Sequence, residues 1–167
     1  MKNVILVNEL DVEVGTSEKM RAHQEGLLHR AFSIFIFNSK NELLIQQRAN
    51  EKYHSGGLWT NTCCSHPQPE MDLVDFAKQR LFEEMGLKVD ELIVKNHFIY
   101  KAEFPNGLVE YELDYILLGQ SDLDPILNPE EAQQFKWISL TDLKAQMEVH
   151  PQQFTFWLHE IFKLGMM

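Results

Sequence analysis

The sequence predicts an α/β fold of the mixed α+β kind, with helices covering a largely mixed sheet. Three observations predict it. β-Branched and aromatic runs read as strands early in the chain, one well-capped amphipathic helix interrupts them, and strands then resume before two terminal helices.

Val4-Ile5-Leu6-Val7 reads as a short strand. Ala31 to Phe37, the Asn38-Ser39-Lys40-Asn41 turn and Leu43 to Gln47 form a hairpin signal. Asp72 is placed to cap a helix whose apolar positions Leu73, Val74, Ala77, Leu81 and Met85 recur at helical spacing, and Gly86 falls where a left-handed C-terminal cap is expected. Phe98 to Ala102, the Pro105-Asn106-Gly107 turn and Val109 to Leu118 read as a second hairpin. A short strand at Phe135 to Ile138, a helix from Leu140 to Met147 and an aromatic-rich helix from Phe154 to Leu164 complete the chain. No internal repeat and no linker stand out.

With 167 residues, 44% of them hydrophobic, the expectation is one domain over residues 1–167. The VILV run is too short for a signal-peptide apolar region and no stretch is long enough to cross a bilayer, so a soluble, cytoplasmic protein without a membrane partner is expected. Cys63 and Cys64 are adjacent, which disfavours a stabilising disulfide between them and fits a reducing compartment. A formal charge of -10 argues against a nucleic-acid partner, which would need clustered lysine and arginine. It leaves open a small phosphorylated ligand held by a few cations or a metal ion.

Glu110, Glu112 and Asp114 alternate with Val109, Tyr111, Leu113 and Tyr115, so the carboxylates share one face of a strand. Taken alone, that segment is best read as a half-buried strand with a solvated polar face. His23 and His29 flank the first long strand at a spacing that fits a loop better than one helical face, and His66 follows Cys64 by two. A single histidine is ordinarily a satisfied polar group. Three imidazoles with two carboxylates would make a site suited to magnesium, manganese or zinc, if the fold brings them together. Half of a structural zinc site at Cys63-Cys64-Ser65-His66 is a weak reading, because no second pair completes it. Cys64 is either a buried structural thiol or an acid, base or nucleophile. Arg80, Glu83 and Glu84 share a helix face, where an Arg80–Glu84 salt bridge competes with a metal–phosphate role. Lys19, Arg48 and Lys52 are further candidate phosphate contacts. Trp157 is core by default, and its functional alternative is an aromatic face turned to a developing carbocation.

Three segments resemble type I isopentenyl diphosphate isomerase: Leu28-His29-Arg30-Ala31-Phe32-Ser33, Leu58-Trp59-Thr60-Asn61-Thr62-Cys63-Cys64-Ser65-His66-Pro67, and Gly107-Leu108-Val109-Glu110-Tyr111-Glu112. The resemblance runs from about Val4 to the terminal helix, and the Thr-Asn-Thr-Cys-Cys-Ser-His-Pro segment is its most specific part. It implies the Nudix superfamily fold, a mixed sheet sandwiched between helices. Nudix hydrolases carry Gly-x5-Glu-x7-Arg-Glu-U-x-Glu-Glu-x-Gly-U, with U a bulky aliphatic residue. Here Glu83, Glu84, Gly86 and Leu87 fit its tail, while Ser65, Met71, Gln79 and Arg80 replace its Gly, Glu, Arg and Glu, which puts pyrophosphate hydrolysis in doubt.

The resemblance implies interconversion of isopentenyl and dimethylallyl diphosphate in isoprenoid biosynthesis. By it, His23, His29, His66, Glu110 and Glu112 bind a first divalent metal (zinc, manganese or magnesium), and Glu84 with the Cys64 carbonyl holds a magnesium that arrives with the diphosphate. Lys19, Arg48, Lys52 and Arg80 contact the diphosphate, and Trp157 faces the cation. Cys64 works on one face of the alkene and Glu112, assisted by Tyr100, on the other. A metal-bound carboxylate is a poor proton donor, so the proton is expected through the pair with Tyr100. The alternatives are a Nudix hydrolase of a nucleoside or prenyl diphosphate, motivated by Glu83-Glu84-Met85-Gly86, and a non-catalytic diphosphate-binding module. Monomer and homodimer are both compatible with the sequence.

Overall fold

A computed structural model describes residues 2–167, which form nine strands and four α-helices. The order is β1 (Asn3–Val7), β2 (Glu13–Glu18), α1 (Lys19–Glu25), β3 (His29–Phe37), β4 (Glu42–Arg48), β5 (Trp59–Thr60), β6 (Cys63–Ser65) and α2 (Leu73–Met85). It continues with β7 (Ile93–Glu103), β8 (Val109–Gln120), β9 (Ala132–Ser139), α3 (Leu140–Val149), a 3-10 turn at Pro151–Gln153 and α4 (Phe156–Lys163).

β3 is the hub. It pairs with β1, β4 and β6 antiparallel and with β8 in parallel, while β7 extends the sheet from β8 and β9 from β4, both antiparallel. Such mixed pairing needs apolar cover on both faces, and β3 supplies it by alternation. Phe32, Ile34 and Ile36 pack with Phe76, Leu81 and Met85 of α2, whereas Phe35 packs with Trp157, Leu158 and Ile161 of α4. Each such fully buried side chain contributes roughly 1.5–3 kcal/mol of hydrophobic stabilisation. The expected sheet between helices is therefore the observed architecture.

Both ends of α2 are made as expected. Asp72 accepts from the Val74 and Asp75 amides, and Gly86 closes the helix at φ +64°, donating to Phe82 O. A β-carbon there would meet Ile126 Cβ and Ile126 O at 2.8 Å, so conformation and space both require glycine. Gly107, at φ +83°, likewise turns the β7–β8 hairpin.

The expectation that His23 and His29 lie on a loop is corrected: His23 is in the last turn of α1 and His29 opens β3. α1 is seven residues long and capped by a glutamate, Glu18, whose carboxylate accepts from the Met20 and Arg21 amides. The expected helix from Phe154 instead starts at Phe156, behind the 3-10 turn. Among the described residues, no helix is long and apolar enough to cross a membrane.

Candidate active site

Register assembles the site from neighbouring strands. Parallel pairing of β3 with β8 sets His29 beside Glu112, and antiparallel pairing of β7 with β8 sets Tyr100 on the other flank of Glu112 and Ala102 beside Glu110. Paired residues project from the same face, so the alternating carboxylates of β8 meet a histidine from one side and a tyrosine from the other. The face is buried, not solvated: Glu110, Glu112 and Asp114 are 4%, 5% and 1% exposed. That overturns the ordinary-strand reading of this segment. Carboxylates taken out of water at this depth require partners.

The partners are imidazoles. His66 Nε2 is 2.8 Å from Glu112 Oε1, with His29 Nε2 at 3.4 Å and His23 Nε2 at 3.8 Å from the same oxygen. Tyr100 Oη lies 2.7 Å from Glu112 Oε2 and 2.9 Å from Glu110 Oε2, so one phenol is shared by two carboxylates. His23 Nδ1 is 2.8 Å from Lys19 O and His29 Nδ1 is 2.7 Å from Leu27 O. A carbonyl only accepts, so both Nδ1 atoms carry hydrogen, and in the neutral tautomer both Nε2 atoms are lone-pair donors. Those two buried Nε2 atoms have no hydrogen-bond partner.

One donor atom from each of His23, His29, His66 and Glu112 lies within 4.8 Å of the others, and His23, His54 and Glu110 form a second such group. Orphaned imidazole nitrogens converging on carboxylates fit a divalent cation. Burial pushes His66 down to about 3, so it stays neutral as a ligand must. Burial also opposes ionisation of Glu112, but His66 and His29 against its carboxylate hold it well below the usual range. The Asp114 carboxyl moves the other way, raised well above the usual range by burial and by the Glu112 charge.

The remaining predicted residues line one cavity of about 90 Å³: Lys19, Arg48, Lys52, Cys64, Arg80, Glu84, Tyr100 and Trp157, together with His66, Glu110 and Glu112. His23 and His29 are absent from this lining and fully buried. Arg80 Nη2 donates to Glu84 Oε1 at 2.6 Å, the expected salt bridge, and reaches Glu131 Oε1 at 3.2 Å, while Lys52 also pairs with Glu131. Glu84 lies outside both histidine groups.

Asn61 went unrecognised in the sequence, and it organises the catalytic candidates. Its fully buried Oδ1 accepts from the Cys64 thiol at 3.1 Å, the Trp157 indole N–H at 3.1 Å and the Thr60 hydroxyl at 2.9 Å. Its Nδ2 donates to Ile34 O and Cys63 O, so one amide fixes the thiol and the aromatic wall to the central strand. Ser33, paired with Cys64 in register, places its hydroxyl 3.5 Å from Cys64 Sγ and donates to Asp114 Oδ2. Burial, with Asp114 nearby, pushes the Cys64 thiol up to about 12, so it keeps its proton at neutral pH.

A NUDIX domain profile matches residues 27–158. Isopentenyl-diphosphate Delta-isomerase 2 of Aromatoleum aromaticum is 50% identical over 93% of this chain and 82% of its own length. This chain belongs to the isopentenyl-diphosphate Delta-isomerase family, within the Nudix fold. Isopentenyl-diphosphate Delta-isomerase of Pectobacterium atrosepticum is 44% identical over 97% of the chain and 90% of that protein. Among solved structures, DR0079 of Deinococcus radiodurans superposes with a TM-score of 0.73 over 89% of this chain and 90% of that one. A MutT protein of Methanosarcina mazei gives 0.65 over 81% and 91%. At 19% and 16% identity these two speak for the fold alone. Membership of the isomerase family accords with Met71 and Gln79, which stand where Nudix hydrolases carry glutamate and arginine.

Proposed function

We propose that this chain interconverts isopentenyl and dimethylallyl diphosphate by adding a proton at one carbon and removing one at another. The observation that carries this reading is the convergence of Cys64, Tyr100, Glu112 and Trp157 on one cavity, in a chain half identical to a protein named as such an isomerase. A proton bonds to the terminal methylene carbon, leaving a tertiary cation. A C–H bond then breaks on the diphosphate side, and its electron pair forms the new double bond. Water would trap that cation, so the reaction needs a dry wall with a negative aromatic face, the role assigned to Trp157. Asn61 holds its indole and the Cys64 thiol on one acceptor.

At neutral pH the Cys64 thiol holds its proton and the Glu112 carboxylate is ionised. That pattern supports Cys64 as the acid of the resting form and Glu112, beside Tyr100, as the base, with the roles exchanged in the return direction. Tyr100, whose phenol burial pushes well above its usual range, also keeps its proton and stays beside Glu112 as the expected alternative route for the first proton. His23, His29, His66, Glu110 and Glu112 hold the first divalent metal, and Glu84 with the Cys64 carbonyl holds the magnesium that comes with the substrate. A cation on Glu112 further stabilises its ionised form.

Lys19, Arg48, Lys52 and Arg80 bind the diphosphate, the last two by exchanging carboxylate partners for phosphate oxygens. Burial, helped by the Lys52 charge, brings the Lys19 ammonium down to about 8. The free protein therefore loses this charge as pH rises through 8, while the bound diphosphate requires it, so binding takes up a proton. KM should be level below that pH and rise above it, by up to about tenfold per pH unit. Lys19→Arg, charged throughout, should flatten the profile. A level KM in the unaltered protein up to roughly pH 9.5 would show instead that the Lys19 ammonium keeps its ordinary range.

The hydrolase reading makes the opposite forecast for phosphate. With magnesium and a panel of nucleoside and prenyl diphosphates, no phosphate release is expected, and steady release from any of them would favour hydrolysis.

A further inference from the structure

His54 is a buried polar residue to which the family resemblance gives no role. It sits between β4 and β5, and Asn106 Nδ2 donates to the carbonyl of Tyr53 at 2.9 Å, tying this segment to the β7–β8 turn. Its ring stacks on Phe104, with centroids 4.5 Å apart and planes 12° from parallel, and the Tyr53 ring meets it edge-on at 4.4 Å. His54 Nδ1 is 3.1 Å from Ser55 Oγ. Its side chain is 2% exposed and its orientation is fixed on several sides.

The Nε2 atom is the anomaly. It lies 2.7 Å from Glu110 Oε1, yet it has no hydrogen-bond partner, because the oxygen is off the line along which a ring N–H would point. A cation seated between two such donor atoms would satisfy both. His23 Nε2 and His29 Nε2 are orphaned in the same way, and donor atoms of His23, His54 and Glu110 lie within 4.8 Å of one another.

We infer that His54 is a fourth imidazole ligand of the divalent-cation site. The inference rests on the proposed reading that His23, His29, His66, Glu110 and Glu112 hold a cation, and it raises the donor set to six. Two consequences follow. Four imidazoles with two carboxylates favour manganese or zinc over magnesium, which prefers oxygen ligands and bound water. His23 belongs to both donor groups, so a cation that takes up His54 also draws Glu110 toward the group of His29, His66 and Glu112.

The test is to load the full chain, its histidine nitrogens isotopically labelled, with spin-active cadmium and count the imidazole nitrogens that show scalar coupling to the metal. Four are expected. His54→Phe, which keeps an aromatic ring on Phe104, should remove one coupling and weaken cadmium binding on the order of tenfold or more. Three couplings, from His23, His29 and His66, with a proton on His54 Nε2, would overturn the inference and leave the metal-site reading intact. No uptake of cadmium would overturn both. If His54→Phe fails to fold, the count in the unaltered protein decides alone.

Discussion

Cys64→Ala is expected to leave a folded protein whose turnover of isopentenyl diphosphate falls on the order of a thousandfold or more, the scale of a lost acid–base group. The fold should survive because the Asn61 carbonyl oxygen, left by the thiol, still accepts from Trp157 and Thr60. No buried acceptor is stranded, and the void is a single sulfur atom at the cavity wall. Unfolding midpoint and KM should therefore change little while kcat collapses. Near-normal kcat in this variant would take Cys64 out of the chemistry and leave it a structural thiol.

Glu112→Gln should cost more, on the order of ten-thousandfold in turnover, because it removes a base and a metal ligand together. The Glu112 carboxylate faces His23, His29, His66 and Tyr100 at once. The neutral amide retains the shape but brings N–H donors against imidazoles that need an anion or a cation between them. Metal content after dialysis should fall with activity. Loss of turnover with full metal content would assign Glu112 to proton transfer alone, and retention of both would remove it from the site.

The parts of this site that could be read from sequence are those with a local signature. Period-two alternation placed Glu110, Glu112 and Asp114 on one face, and Asp72 and Gly86 marked both ends of α2. Burial was not legible, because alternation says which residues share a face but not what covers it. The cover comes from α1 and β3, remote in sequence. α1 escaped notice for physical reasons: in Lys19–Glu25 only Ala22 and His23 are buried, too few to set a period, and its cap is a glutamate where serine, threonine, aspartate or asparagine are usual. β5 and β6 are two and three residues long, below any periodic signal. His54 and Asn61 lie in segments without regular pattern and act through contacts about 50 to 100 positions away. The left-handed Gly26 that closes α1 was the one local clue to that helix.

The most direct test of the account is proton NMR of isopentenyl diphosphate in heavy water with the purified protein, magnesium, and trace zinc or manganese. Dimethylallyl diphosphate carrying deuterium, formed without phosphate release, is the predicted result, because proton addition from an exchangeable group leaves solvent deuterium in the product. Unchanged isopentenyl diphosphate after incubation with folded, metal-loaded protein would contradict it.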